Sequence, residues 1–72
     1  MDLKDILAIN LRKIRRDKNL TQEALAERAE LSPRYIGKIE SATVSPTITV
    51  VGKLAEALAV EPCDLIRVTP PL

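Results

Sequence analysis

The sequence predicts an all-α domain, and three observations carry that reading. Apolar residues recur three and four apart in almost every segment, and no stretch alternates with the period of two that a half-buried strand needs. Thr, Ser or Pro also stands at the points where most of the helices have to start, at Thr21, Ser32-Pro33, Thr47 and Pro62. The 72 residues fit one domain with a thin core, and connections of about two to six residues leave no room for a linker or a second unit. A single domain is therefore expected over residues 1–68, followed by a loose tail at 69–72, because Thr69-Pro70-Pro71-Leu72 cannot continue a helix.

Each element has its own signal. The first helix is expected from about Asp2 to Lys18, with Leu3, Leu7, Leu11 and Ile14 forming one stripe, and Asn19 breaks it. Thr21 caps the second, since its hydroxyl can accept a free N–H of the first turn, while Leu20 and Leu25 occupy the two positions of a hydrophobic staple. That helix ends near Ala29. The grammar repeats at Leu31-Ser32-Pro33, where Ser32 caps, Pro33 takes the first helical position at no hydrogen-bonding cost and Leu31 staples to Ile36. The third helix runs to about Ser41. A fourth follows Ser45-Pro46, begins near Thr47 and is expected to bury Ile48, Val51, Leu54, Ala55 and Leu58. A fifth begins at Pro62, with Val60 and Leu65 again at staple positions.

Composition excludes several classes. Cys63 is the only cysteine and histidine is absent, so neither an internal disulfide nor a Cys/His zinc site can form within one chain, and no metal or cofactor is expected. The usual acid-base and nucleophile arrangements of an enzyme cannot be assembled either. Glu23 and Glu27 read as a solvated helix face, and Cys63 as a half-buried structural residue rather than an activated thiol. The longest apolar runs, Ile6–Ile9 and Ala57–Val60, fall far short of the roughly 20 residues of a membrane span, and Met1 to Asp5 shows no signal-peptide pattern. A cytoplasmic protein is expected. Net charge is only +1, but residues 1–19 carry six basic and three acidic side chains, with the excess at Arg12, Lys13, Arg15, Arg16 and Lys18. Such a cluster suits a polyanion and equally a solvated helix face.

Thr21 to Ser41 places a helix, a turn of about three residues and a second capped helix in the order of a helix-turn-helix, with small Ala26 at the expected close crossing. A generic helical hairpin shares these features. The string Leu11-x-x-Ile14-Arg15, Leu20-Thr21-Gln22-Glu23-x-Leu25-Ala26, Leu31-Ser32-x-x-Tyr35-Ile36-x-x-Ile39-Glu40, Pro46-Thr47-Ile48 and Leu54-Ala55-x-Ala57-Leu58-x-Val60 is more specific. It resembles the lambda-repressor-like, Cro-type (XRE) helix-turn-helix domains over Leu11 to Ile66. The resemblance implies a compact five-helix domain, a small transcriptional regulator whose third helix enters the major groove, a homodimer and a palindromic operator in double-stranded DNA. It also implies that Arg15 and Glu40 pair across helices one and three, with Glu40 as structural support for an Arg15 turned toward phosphate. Three positions depart from the pattern: Glu30 and Ala42 stand where Gly is frequent, and Glu61 where a Ser or Asp cap is usual.

At about 100° per residue, Pro33, Arg34, Gly37, Lys38 and Ser41 share one arc of about 140°, with Ile36 and Ile39 turned away from it. Pro33, Arg34, Gly37 and Lys38 are the expected base-reading set, Arg34 being suited to guanine O6 and N7. Gly37 costs roughly 1 kcal/mol relative to Ala, which points to close approach of the backbone to DNA or to a tolerated defect. Phosphate contacts are expected from Arg15, from Gln22 at the start of helix two, from Tyr35, whose ring can equally pack on helix four, and from Ser41, Thr43 and Ser45, which are also ordinary turn formers. Leu65, Ile66 and Val68 are the expected dimer contacts. No small-molecule ligand or membrane partner is expected. The alternatives are a helical protein-interaction module that has lost DNA binding, which the near-neutral charge favours, and an antitoxin or restriction-modification controller built on the same fold.

Overall fold

The computed structural model describes residues 1–68, and the expected tail at 69–72 lies outside the described residues. Along them run α1 (Leu3–Asp17), α2 (Gln22–Ala29), α3 (Pro33–Glu40), α4 (Ile48–Leu58) and α5 (Pro62–Ile66), with no strand among the described residues. None of these helices is long and apolar enough to cross a membrane.

The expected caps close the helix starts. Thr21, Ser32 and Thr47 accept the backbone N–H of Ala24, Tyr35 and Val50 at 3.0, 3.0 and 3.2 Å. At Glu61, the unusual cap, the first turn instead closes through the Asp64 carboxylate, which accepts the Glu61 N–H at 3.1 Å. The ends of α1 to α4 share a second device. Asn19, Glu30, Ala42 and Ala59 all adopt left-handed backbone, with φ between 57° and 59°. The next residue in each case donates its N–H five residues back, from Leu20 to Arg15, Leu31 to Ala26, Thr43 to Lys38 and Val60 to Ala55. These bonds satisfy carbonyls that a helix end leaves free. Glu30 and Ala42, the two departures from Gly, therefore carry a left-handed conformation that costs a β-carbon-bearing residue roughly 1–2 kcal/mol.

The core is built from Leu7, Leu11, Leu25, Ile36, Ile39, Leu54, Leu58 and Leu65, closed by Ala26, Ala29 and Ala55 where helices approach. α1 packs on α3 and α5, α2 on α3 and α4, and α4 on α5, so α3 is held from one side and its opposite face is left free. Leu20, Leu31 and Val60 pack against this core from the staple positions.

Two expected core residues are outside it: Leu3 is 60% and Ile48 91% exposed. Both occupy the first position of a helix. A helical side chain leans back over the preceding turn, and at the first position there is none to lean on. Cys63 is likewise exposed rather than half-buried, near the start of α5. Asn10 presents the opposite case, a polar residue that the apolar stripe passes over. It is buried, and its amide donates to the carbonyls of Leu65 and Arg67, each at 2.9 Å, fastening the end of α5 to α1. Its place three residues after Leu7 is the signal the sequence offers.

Candidate nucleic-acid interface

The free face of α3 follows from the burial of its other face. Ile36 and Ile39 are sealed in the core, while Pro33, Arg34, Lys38 and Ser41 are exposed and Gly37 is half-buried beside them. Two fully buried isoleucines three apart fix the rotation of an eight-residue helix, so Arg34 and Lys38 project from the surface together. Tyr35, at the boundary, packs its ring against the core cluster.

Behind the C-terminal end of α3 lies a buried polar network. Arg15 and Glu40 pair through two hydrogen bonds, Nε to Oε2 at 2.6 Å and Nη2 to Oε1 at 3.1 Å, a fork-on-carboxylate geometry. Arg15 Nη1 also donates to the Leu20 carbonyl at 2.7 Å, tying the turn after α1 into the same unit. The side chains are only 10% and 4% exposed. The hydrogen bond to Glu40 raises the Arg15 pKa, with burial opposing and the charges of Glu40 and Glu23 adding to the rise. The pair implied by the family resemblance is thus present. Arg15 itself is engaged inside the protein and presents only a small edge to the outside. The exposed cations on α1 and its C-cap are Arg12, Lys13, Arg16 and Lys18.

Gln22 joins the network: its Nε2 donates to Glu40 Oε1 at 3.0 Å. This brings the first residue of α2 against the C-terminal half of α3, and a β-carbon placed on Gly37 would meet Gln22 Oε1 at 3.9 Å, an ordinary contact. Ser41 and Thr43 share a short hydroxyl contact, and Ser41 Oγ donates to the Lys38 carbonyl at 3.1 Å, so both side chains sit exposed at the end of α3. Ser45 is exposed farther along the loop and lines a different surface, an apolar groove of about 450 Å³ bounded by Leu3, Ile48, Val51, Gly52, Pro62 and Ile66.

Of the three expected dimer contacts, Ile66 and Val68 are 40% and 66% exposed, but Leu65 is fully buried in the chain's own core and has no surface to offer a second copy. A five-residue helix must spend its best-placed leucine on holding itself down. No group of acidic, Cys or His side chains that could hold a metal ion occurs among the described residues.

Comparison with known proteins places this geometry. A family model described as helix-turn-helix matches residues 11–65. An uncharacterized HTH-type transcriptional regulator of Sinorhizobium fredii, y4dJ, is 33% identical over 69 residues, covering 96% of this chain and 90% of the relative. The control protein C.SmaI of Serratia marcescens is 45% identical over 58 residues, covering 81% of this chain and 69% of the relative. Among solved structures, the restriction-modification controller protein C.AhdI of Aeromonas hydrophila superposes with a TM-score of 0.84 at 34% identity, over 86% of this chain and 94% of that one.

Proposed function

The chain belongs to the helix-turn-helix family of DNA-binding transcriptional regulators, and from that premise we propose that it binds duplex DNA sequence-specifically, with α3 in the major groove, and acts as a repressor. One observation carries the placement: the face of α3 opposite Ile36 and Ile39 is uncovered and holds Arg34 and Lys38 side by side. Arg34 reads a base edge, Lys38 reads or grips beside it, and the exposed hydroxyls of Ser41 and Thr43 hold adjacent phosphates. The cations exposed on α1 supply long-range attraction.

The test is a selection of preferred duplexes from a random pool, followed by titration of Arg34→Ala on the selected site and on single-base variants of it. Arg34→Ala is expected to lose about 1–3 kcal/mol on the selected site, much less on random DNA, and to relax one base position per half-site. Intact base preferences in that variant would remove α3 from the groove. Affinity should fall steeply with salt, and a flat dependence would refute phosphate neutralisation.

The active species is a homodimer on a palindromic site. Its support is the apolar groove of α4 and α5, where Ile48 protrudes almost wholly exposed beside open space over Gly52, a position at which an added β-carbon would meet nothing within 4 Å. A knob and a hollow on one face are complementary to themselves under a two-fold axis. Ile66 stays in this interface. Sedimentation should show a dimer that Ile48→Asp dissociates without unfolding; a monomer at tens of micromolar would refute it. Among regulatory roles, similarity to C.SmaI and C.AhdI favours control of a restriction-modification system, checked by footprinting the DNA upstream of the chain's own gene.

A further inference from the structure

Gln22 is held in one orientation by chemistry rather than by packing alone. Glu40, forked by Arg15, offers only acceptors, so the end of the Gln22 amide that faces it at 3.0 Å has to be the NH2 group. The carbonyl end is thereby turned away. Its Oε1 accepts no hydrogen bond from the described residues, and no partly buried side-chain oxygen or nitrogen among them is both unpartnered and sealed from solvent. The Gln22 oxygen is therefore free and open.

What it opens onto is Gly37. A glycine in mid-helix is destabilising relative to alanine, and nothing in the fold requires this one: its φ is not positive, and a β-carbon would make only an ordinary contact, at 3.9 Å, with that same Gln22 oxygen. The missing β-carbon leaves a notch of bare backbone at half-buried Gly37 beside the Gln22 oxygen, on the arc of α3 that also carries the exposed Arg34 and Lys38. The oxygen, an acceptor fixed beside this notch, suits a hydrogen-bond donor and cannot itself bond a phosphate oxygen.

Resting on the placement of α3 in the major groove, we infer that Gln22 is a specificity-determining residue whose Oε1 accepts a hydrogen bond from the exocyclic amino group of an adenine or a cytosine entering the notch over Gly37. In the major groove, adenine N6 and cytosine N4 are the groups that donate. Glu40 is the positioning residue. The second N–H of the amide stays available to a neighbouring acceptor, such as N7 of the same adenine.

The experiment uses the full chain and its selected duplex. Wild type is titrated against duplexes in which single adenines are replaced by purine, or single cytosines by 2-pyrimidinone, each lacking the amino group. One position per half-site should lose about 10-fold in affinity, and the base analogue that causes the loss tells adenine from cytosine. Gln22→Met, of similar length but without hydrogen-bonding groups, should lose preference at that position alone and be indifferent to the analogue there. Gly37→Ala should raise the melting temperature of the free protein and weaken binding of the same duplex. Equal weakening of Gln22→Met on selected and random DNA would reassign the residue to phosphate, and no analogue-sensitive position in wild type would overturn the inference even if Gln22→Met fails to fold. Arg34→Ala relaxing a different position, with Gln22 silent, would leave the groove placement standing and refute this reading only.

Discussion

Replacing Glu40 by Ala exposes what the buried network contributes. The variant removes the acceptor of three hydrogen bonds, two from Arg15 and one from Gln22, and leaves a guanidinium whose side chain is 10% exposed without its counter-ion. Breaking a buried pair by deleting one partner costs about 3–5 kcal/mol, because the remaining charge keeps its desolvation penalty. A domain of this size has a total stability of only about 4–11 kcal/mol at roughly 0.05–0.15 kcal/mol per residue. The loss is therefore about a quarter of the whole or more. Urea denaturation followed by circular dichroism should show the midpoint fall with little change in slope. The pH dependence has a definite sign. The Arg15 pKa is raised in the folded state, so its contribution is fully present below the unfolded value and lost only as pH rises through the folded one, in strongly alkaline solution. The difference between wild type and Glu40→Ala should thus be the same at about pH 6 and about pH 9. A cost under about 1 kcal/mol would mean the pair behaves like an exposed one and that the burial argument is wrong.

Other substitutions test other links. Ala59→Gly and Glu30→Gly, at left-handed positions, should each stabilise by about 0.5–1 kcal/mol, read as a rise of several degrees in melting temperature; a fall would place the strain elsewhere. Leu65→Ala should cost about 2–5 kcal/mol in unfolding at any protein concentration, because Leu65 belongs to the core of a single chain; a concentration-dependent loss would return it to the interface. Asn10→Ala should cost about 1–3 kcal/mol by leaving the Leu65 and Arg67 carbonyls without their donor, and hydrogen exchange should show α5 opening first.

The helices and their caps are legible because they are written in local chemistry. Thr21, Ser32 and Thr47 cap within three residues of themselves, and a period of 3.6 marks which face of α3 must be buried. Glu30 and Ala42 are legible as departures, and their conformation shows why: the turn keeps the geometry that favours Gly and holds other residues in it. What escapes a sequence reading is where an element sits among the others. Leu3 and Ile48 obey helical periodicity and still lie beyond the core, because periodicity gives an angle around the axis and says nothing of position along it. Leu65 reads from the sequence both as the staple partner of Val60 and as an interface residue, and its complete burial in a five-residue helix leaves only the first. The sequence suggests Gln22 only as a phosphate contact at the start of a helix, and the end of its amide that faces outward depends on Glu40, 18 positions away.

That dependence separates two roles of the ion pair, stability and orientation, and a double substitution tells them apart. A buried pair replaced by well-packed apolar residues is often neutral or stabilising, since neither charge is left alone. Arg15→Met with Glu40→Met should therefore recover most of the stability lost by Glu40→Ala, and the cycle through both single variants should show strong coupling. In this variant the Gln22 amide has lost the carboxylate that fixed it and can rotate freely. The double variant should then bind its selected duplex with intact preference at the Arg34 position and diminished preference at the analogue-sensitive one. Melting curves and the single-base panel measure the two effects on the same sample. If the double variant is stable and reads every position as wild type does, the Arg15–Glu40 pair does not orient Gln22, and the network would have to be explained by folding alone.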